Sequence, residues 1–299
     1  MVVLMALAAR MLGEADFGVF GYAIAAATIA EVFMDFGLHQ ITIRAVAKRP
    51  EHASPLLATS VWLKAVPGLG MIALGTLAVC FLRPEADVRY ASFILFISAA
   101  MRSYVLTARG ILQGLERFAD DALVTIGDRV LLVVSGCAAL LLGAGLIPFA
   151  LTFLAARTVS AVAALMLARR RAGRGRSDLA LARSMVADAI PVGLFLLVLN
   201  VYNRIDILML GSMQGDVVTG HYTAAYTLYE GFTYAAAALS AVLTPRLSAL
   251  WHHDRTGYRS IFARGLLATL GLSLLVGAVT WPLAGLALSL FFPDALPVV

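Results

Sequence analysis

The sequence has little of what soluble catalysis is built from. Only 14% of its 299 residues are charged, where an ordinary soluble domain carries about a quarter. Its two cysteines, Cys80 and Cys137, both sit inside apolar runs without metal-ligand spacing, which leaves no basis for a disulfide framework or a zinc site and makes them packing residues. No Walker sequence, no GxGxxG after a strand and no HExxH is present, so nucleotide-driven transport, dinucleotide chemistry and zinc hydrolysis lose their usual signatures. His252-His253 has no neighbouring Cys or acidic cluster, so no metal site is expected of it. No enzyme active site and no cofactor is expected. The apolar start, Met1 to Ala9, lacks both a positive region before it and a small-residue cleavage site after it, and reads as the tail of a spanning helix and not as a signal peptide.

What the chain has in abundance is apolar length. Hydrophobic residues make up 61% and the mean hydropathy is +0.88. Runs long enough to cross about 30 Å of hydrocarbon, roughly 20 helical residues each, recur throughout. Windowed hydropathy predicts helices near 1–12, 17–41, 56–82, 90–113, 121–143, 146–168, 187–210, 217–243 and 262–290, an all-α polytopic transmembrane bundle. The connections alternate. One set carries Arg10, Arg83 and Arg89; the other carries fifteen Lys and Arg, among them Arg44, Lys48, Arg109, Arg117, Arg246 and Arg255. The cation-rich set is cytoplasmic by the positive-inside rule. The net charge of +5 therefore reports topology, and no nucleic-acid partner is implied. The most basic stretch, RRRAGRGR from Arg169, divides the chain into an N-terminal helical block (1–168), a basic cytoplasmic linker (169–186) and a second block (187–299). As a juxtamembrane polybasic run the linker is either a solvated loop or a contact for anionic headgroups of the membrane lipid.

The second block repeats the first at an ungapped offset of 202 residues. Gly18-Val19-Phe20 aligns with Gly220-His221-Tyr222, Ala23 with Ala225, Thr42-Ile43-Arg44 with Thr244-Pro245-Arg246, and Ala47 with Ala249. In both copies a Gly opens an apolar helix that ends at Thr-x-Arg on the cation-rich side. Six intervening helices give the copies the same orientation. Parallel repeats about an axis along the membrane normal are a plan of secondary transporters, with substrate between the halves. On this plan the second half is incomplete, three helices short after Pro293.

Particular segments resemble a known family. AARMLGEADFGVFGYAIA resembles the first external turn, and MDFGLHQITIRAVAK the end of the second helix, of the polysaccharide and oligosaccharide flippases of the multidrug/oligosaccharidyl-lipid/polysaccharide exporter superfamily. YNRIDILMLGSMQGDVVTGHYTAAYTLYEGF followed by VLTPRLSAL is similar to that family's seventh and eighth helices, and FFPDALPVV to its external segment after the ninth, with Pro293 where the family more often has Gly. The resemblance implies translocation of a polyprenyl-pyrophosphate-linked oligosaccharide from the cytoplasmic to the external leaflet, for O-antigen, capsule or exopolysaccharide, in a bacterial inner membrane. A multidrug exporter of the same superfamily and a membrane glycosyltransferase are the alternatives.

Such a cargo needs a wet cavity with cations for its phosphates. The membrane-depth candidates are Arg102, Arg157, Arg204, Arg129 and Lys64, since intramembrane charges pair with one another or line a pathway. Lys64 has the alternative of snorkelling to the cytoplasmic interface. Coupling to an H+ or Na+ gradient would need a membrane carboxylate, for which Asp206, Glu31, Asp35, Asp128 and Glu230 are the candidates, Asp35 also being placed to cap or flank a helix end. Pro67, Pro191 and Pro245 mark kinks or hinges.

Overall fold

The computed structural model describes residues 2–231, Leu247 and 255–291, the side chains of 256 and 279–290 excepted. The described residues are helical, with short connections and no strand. In chain order the helices are α1 (Val2–Leu12), α2 (Glu14–Asp35), α3 (Leu38–Lys48), α4 (Ala53–Leu82), α5 (Ala86–Gly114), α6 (Phe118–Leu141), α7 (Leu146–Ala172), α8 (Leu179–Met213), α9 (216–231) and α10 (Arg255–Phe291). A single 3-10 turn, Pro50–His52, links α3 to α4. Seven of the described segments are long and apolar enough to cross a membrane. This is a polytopic transmembrane bundle.

The centre of the bundle is made of small residues. Helices α5 and α7 share its most extensive interface, where Ala91, Ala99, Ala100 and Ala108 of α5 and Ala150, Ala156, Ala161 and Ala164 of α7 are buried. Lipid tails are as apolar as leucine, so helices in a membrane associate through close van der Waals contact, which small side chains permit. Larger residues face outward: Trp62, Leu69 and Phe81 of α4 and Leu123, Ile126 and Val134 of α6 are exposed, as befits surfaces in contact with lipid. Phe20, Phe149 and Phe153 form an aromatic cluster between α2 and α7, with ring centroids 5.0–5.2 Å apart.

Several helix limits differ from the hydropathy reading. The helix expected over 17–41 is two helices, because Phe36 (φ 41°) and Gly37 (φ 78°) turn left-handed between α2 and α3. Gly37 is suited to a left-handed helix end, and its site has no room for a side chain: a Cβ there would lie 2.9 Å from the Gly193 amide nitrogen of α8. Helix α8 begins at Leu179, well before the expected 187, and α7 runs on to Ala172, so only 173–178 of the basic linker lies outside helices. At about 1.5 Å per residue the 35 residues of α8 span about 52 Å, more than the hydrocarbon needs. Hydropathy marks the part in lipid, whereas the helix continues into water. Pro67 and Pro191 lie inside uninterrupted helices. Pro245, the His252-His253 pair, the repeat matches from Thr244 to Ala249, the end of the expected 217–243 helix and the segment after Phe291 lie outside the described residues.

The 202-residue offset reappears in the backbone. Gly13 (φ 82°) and Gly215 (φ 86°) share a left-handed conformation and stand immediately before α2 and α9. Five residues further on, Gly18 and Gly220 meet each other's helices: a Cβ at Gly18 would lie 1.8 Å from the Asp216 carbonyl oxygen, and one at Gly220 2.4 Å from that of Glu14. No other residue type fits such an approach. This seal lies at the cation-poor end of the bundle. Replacing Gly18 with Val is expected to cost about 1–3 kcal/mol from overpacking, measured as a lowered unfolding midpoint in detergent. Gly127→Ala, at a helical position where an added Cβ would meet nothing within 4 Å, is the control and should be neutral or stabilising by about 0.5–1 kcal/mol. Equal midpoints for the two variants would contradict the seal.

Candidate functional site: a cationic cavity between the helices

Immediately on the cation-rich side of the glycine seal lies a cavity of about 640 Å³. Its walls come from α1, α2, α5, α6, α7, α8 and α9. Phe20 and Phe153 make an apolar section of the wall, and Glu31, Arg102, Arg129, Arg157, Asn200, Arg204 and Glu230 supply the charge and polarity. Helical spacing explains the convergence. Ser98 and Arg102 of α5, and Asn200 and Arg204 of α8, are each four residues apart and so share a face.

Four of the five cations expected from sequence thus reach one cavity. The sequence reading treats cavity lining and ion pairing as alternatives; the structure shows both together. Arg102 Nε donates to Glu31 Oε1 at 2.8 Å, Arg204 Nη2 donates to Glu230 Oε1 at 2.5 Å, and Arg157 is bonded to Asp128. The pairs differ in wetness. The Arg157 and Asp128 side chains are 7% and 9% exposed, against 35% and 15% for Arg102 and Glu31 and 20% and 33% for Arg204 and Glu230. Arg204 also lies over the Tyr226 ring, 5.0 Å from its centroid. Among the described residues Arg129 has no ion pair, although Asp128 precedes it: adjacent side chains on a helix do not face each other, and Asp128 turns to Arg157 instead. Among the described residues four guanidiniums stand against three carboxylates, an excess of one positive charge.

Lys64 belongs elsewhere. It neither lines the cavity nor snorkels to the interface. It is 2% exposed and donates to Asp35 Oδ1 at 2.6 Å and to the Ser103 carbonyl at 2.8 Å. Asp35 is at once a partner and a helix-end residue, since its Oδ2 accepts from the His39 amide at 3.3 Å beyond the Phe36–Gly37 break. Removing either partner would strand a buried charge. Asp206 is not a cavity residue either. It sits in a separate open groove of about 380 Å³ with Tyr202, Asn203, Tyr222, Tyr226 and Tyr229, accepting from the Tyr222 hydroxyl and the Ile207 amide. Of the five candidate carboxylates, Glu31 and Glu230 face the cavity, Asp35 and Asp128 are in buried pairs, and Asp206 is in the tyrosine groove.

One residue that hydropathy leaves in an external loop turns out to be structural. Arg83, between α4 and α5, is 5% exposed. It donates to the Gly211 carbonyl, to Asp216 Oδ1 at 2.8 Å and to Glu85 Oε2 at 3.1 Å, and lies 5.4 Å from the Tyr22 ring centroid. It ties the α4–α5 connection to the α8–α9 connection over the glycine seal. Burial works against its charge, but the hydrogen bonds and attraction of Asp216 and Glu85 outweigh burial and raise its pKa above the ordinary arginine value. Glu85 is lowered by a hydrogen bond from its own backbone amide and then by Arg83. The signal available in the sequence was Gly-Asp at 215–216, a repeat of Gly-Glu at 13–14.

These features define a class: a multi-pass helical membrane protein with a charged lumen among its helices. The chain belongs to the polysaccharide biosynthesis protein family, whose model matches residues 1–251. Among solved structures, it is similar to one described as the inward-facing conformation of a multidrug resistance MATE family transporter of the MOP superfamily. That match has a TM-score of 0.78 and 16% identity, and covers 99% of this chain and 73% of that one; at this identity the likeness concerns the fold. No curated protein sequence matches the chain.

The Arg83 tie can be tested by access. With Cys80 and Cys137 replaced by Ala, Thr223→Cys places a thiol at a buried position one turn below Gly220. An impermeant maleimide added from the Arg83 side should label it slowly in the parent and several-fold faster once Arg83→Gln is added. Unchanged labelling would remove Arg83 from the closure.

Proposed function

We propose that this protein moves a polyprenyl-pyrophosphate-linked oligosaccharide from the cytoplasmic to the external leaflet of a bacterial inner membrane, for assembly of a surface or exported polysaccharide. The observation that carries the reading is the cation excess in a cavity at membrane depth, with Arg129 unpaired among the described residues and Arg102 and Arg204 held in wetted pairs. Arginine chelates phosphate oxygens with two parallel N–H donors and stays charged at any relevant pH. Membership of a polysaccharide biosynthesis family supplies the class of cargo. Blocks 1–168 and 187–299, in contact through the Gly18 and Gly220 backbones, act as the two halves whose relative rocking alternates access.

The alternative of a multidrug exporter draws on the MATE transporter of similar fold. Drugs that carry positive charge suit a lumen with more acid than base. The cavity here has the opposite balance, and its charge favours an anionic headgroup.

Arg129→Gln is the cleanest test, because it leaves no described carboxylate without its partner. Triple replacement of Arg102, Arg157 and Arg204 by Gln would leave the buried Asp128 without its partner and so confound transport with stability. In cells depending on this protein, Arg129→Gln is expected to lower glycan export by about tenfold or more, the scale of one lost charge-assisted hydrogen bond, with membrane insertion and unfolding midpoint unchanged. Arg129→Lys should fall between. Full export by Arg129→Gln would refute the cavity as the headgroup site.

A further inference from the structure

We infer that Glu31 and Glu230 occupy, in the cavity, the two positions taken by the phosphates of a pyrophosphate-bearing substrate, and act as built-in competitors that the substrate displaces from Arg102 and Arg204. The inference rests on the cavity being the headgroup site and adds to it a role for the acids.

Among the described residues, the sequence-expected cations form four ion pairs, two dry and two wet. Lys64 with Asp35 and Arg157 with Asp128 have side chains at most 9% exposed; separating them would leave a charge uncompensated in a low-dielectric interior, at great cost. The Arg102–Glu31 and Arg204–Glu230 pairs line the cavity with side-chain exposures of 15–35%. Partly solvated pairs hold together only weakly, so a carboxylate there can be exchanged for another oxyanion without stranding either partner. The dry pairs fix the architecture, and the wet pairs are replaceable.

Both pairs border the one cavity. One pair joins α2 to α5, the other α8 to α9. The two acids sit on α2 and α9, the helices that touch at Gly18 and Gly220. Glu31 is thirteen residues beyond its glycine and Glu230 ten beyond its own, which at about 1.5 Å per residue puts them about 20 and 15 Å along their helices. The two Arg–Glu pairs therefore face one lumen from the two sequence blocks at similar depth. A pyrophosphate linking lipid to sugar offers one anionic phosphate to each arginine, with more acceptor oxygens than the carboxylate it replaces and the same bidentate fit. Asn200, one turn before Arg204 on the same face, adds an amide donor, and Arg129 a further cation. The displaced carboxylates turn into the water of the cavity.

The device has a purpose that a purely cationic site lacks. Unopposed arginines would hold a diphosphate tightly and release it slowly. With a carboxylate tethered beside Arg102 and another beside Arg204, release leaves neither of these guanidiniums without an oxyanion, so binding is weaker and turnover faster.

The test is binding of inorganic pyrophosphate to the purified full chain by calorimetry, alongside glycan export in cells. Glu31→Gln and Glu230→Gln are each expected to tighten pyrophosphate binding by roughly tenfold, the order of one screened contact between charges, and to reduce export. Glu→Asp at either position shortens the side chain by one methylene, loosens the pair and should tighten binding to an intermediate degree; it serves as the variant where Gln fails to fold. Gln and Asp variants that bind as the parent does, or more weakly, would overturn the competitor role, and the headgroup site would still stand if Arg129→Gln weakens binding. Pyrophosphate binding that no cavity arginine affects would remove both.

Discussion

A guanidinium at the centre of a bilayer costs about 2.5–3.5 kcal/mol even by the mildest measure, and this chain carries four of them to one wall-to-wall opening. The cost is met in two ways, pairing and wetting, and the division between them organises the molecule. Where the bundle is densely packed, Arg157 with Asp128 and Lys64 with Asp35 neutralise each other inside protein. Where the helices part, Arg102, Arg129 and Arg204 keep partial contact with a cavity. Helices packed through alanine and glycine make both possible.

The sequence made the spanning helices and their alternating ends legible, because hydropathy and the positive-inside bias are properties of single segments. It also exposed the membrane-depth cations, which stand out against apolar neighbours. Pairing was hidden. Arg102 meets Glu31 across 71 residues, Arg157 meets Asp128 across 29 and Arg83 meets Asp216 across 133, and nothing in one segment announces the other. The same holds for Lys64, whose partners Asp35 and Ser103 arrive from α2 and α5. The break at Phe36–Gly37 was missed although glycine favours a left-handed helix end, because the apolar run continues through it. The early start of α8 was missed for the opposite reason: Arg183 and Ser184 are polar, so a hydropathy window excludes them, while the helix needs only backbone hydrogen bonds to continue.

Arg83 shows how a charge count can mislead. In the sequence it belongs to a cation-poor connection and counts as one of three exceptions to the positive-inside pattern. In the structure it is a buried hub that takes a carbonyl, two carboxylates and an aromatic face at once. A side chain that fulfils its hydrogen-bonding capacity inside protein does not act as a topological signal. The internal repeat held the clue, since the Gly-acid pair that opens α9 mirrors the one that opens α2, and the acid of the second copy is the one that Arg83 holds.

The same two helices carry both the seal and the acids of the cavity. Glu31 and Gly18 share α2, and Glu230 and Gly220 share α9. An α-helix is stiff over a dozen residues, so α2 and α9 cannot part at the glycines without shifting the carboxylates further along each helix. Arg102 is on α5 and Arg204 on α8, whose packing against α2 runs through Gly211 on Tyr22 and Gly193 on Phe36. A change at the seal therefore alters the distance between each acid and its arginine, and a ligand that replaces the acids alters what holds the helices at the seal. Coupling between opening and occupancy then needs no separate relay. It follows from placing a close backbone contact and an exchangeable ion pair on one rigid element, twice, with the two glycines, though not the two acids, at matching positions of a repeated sequence.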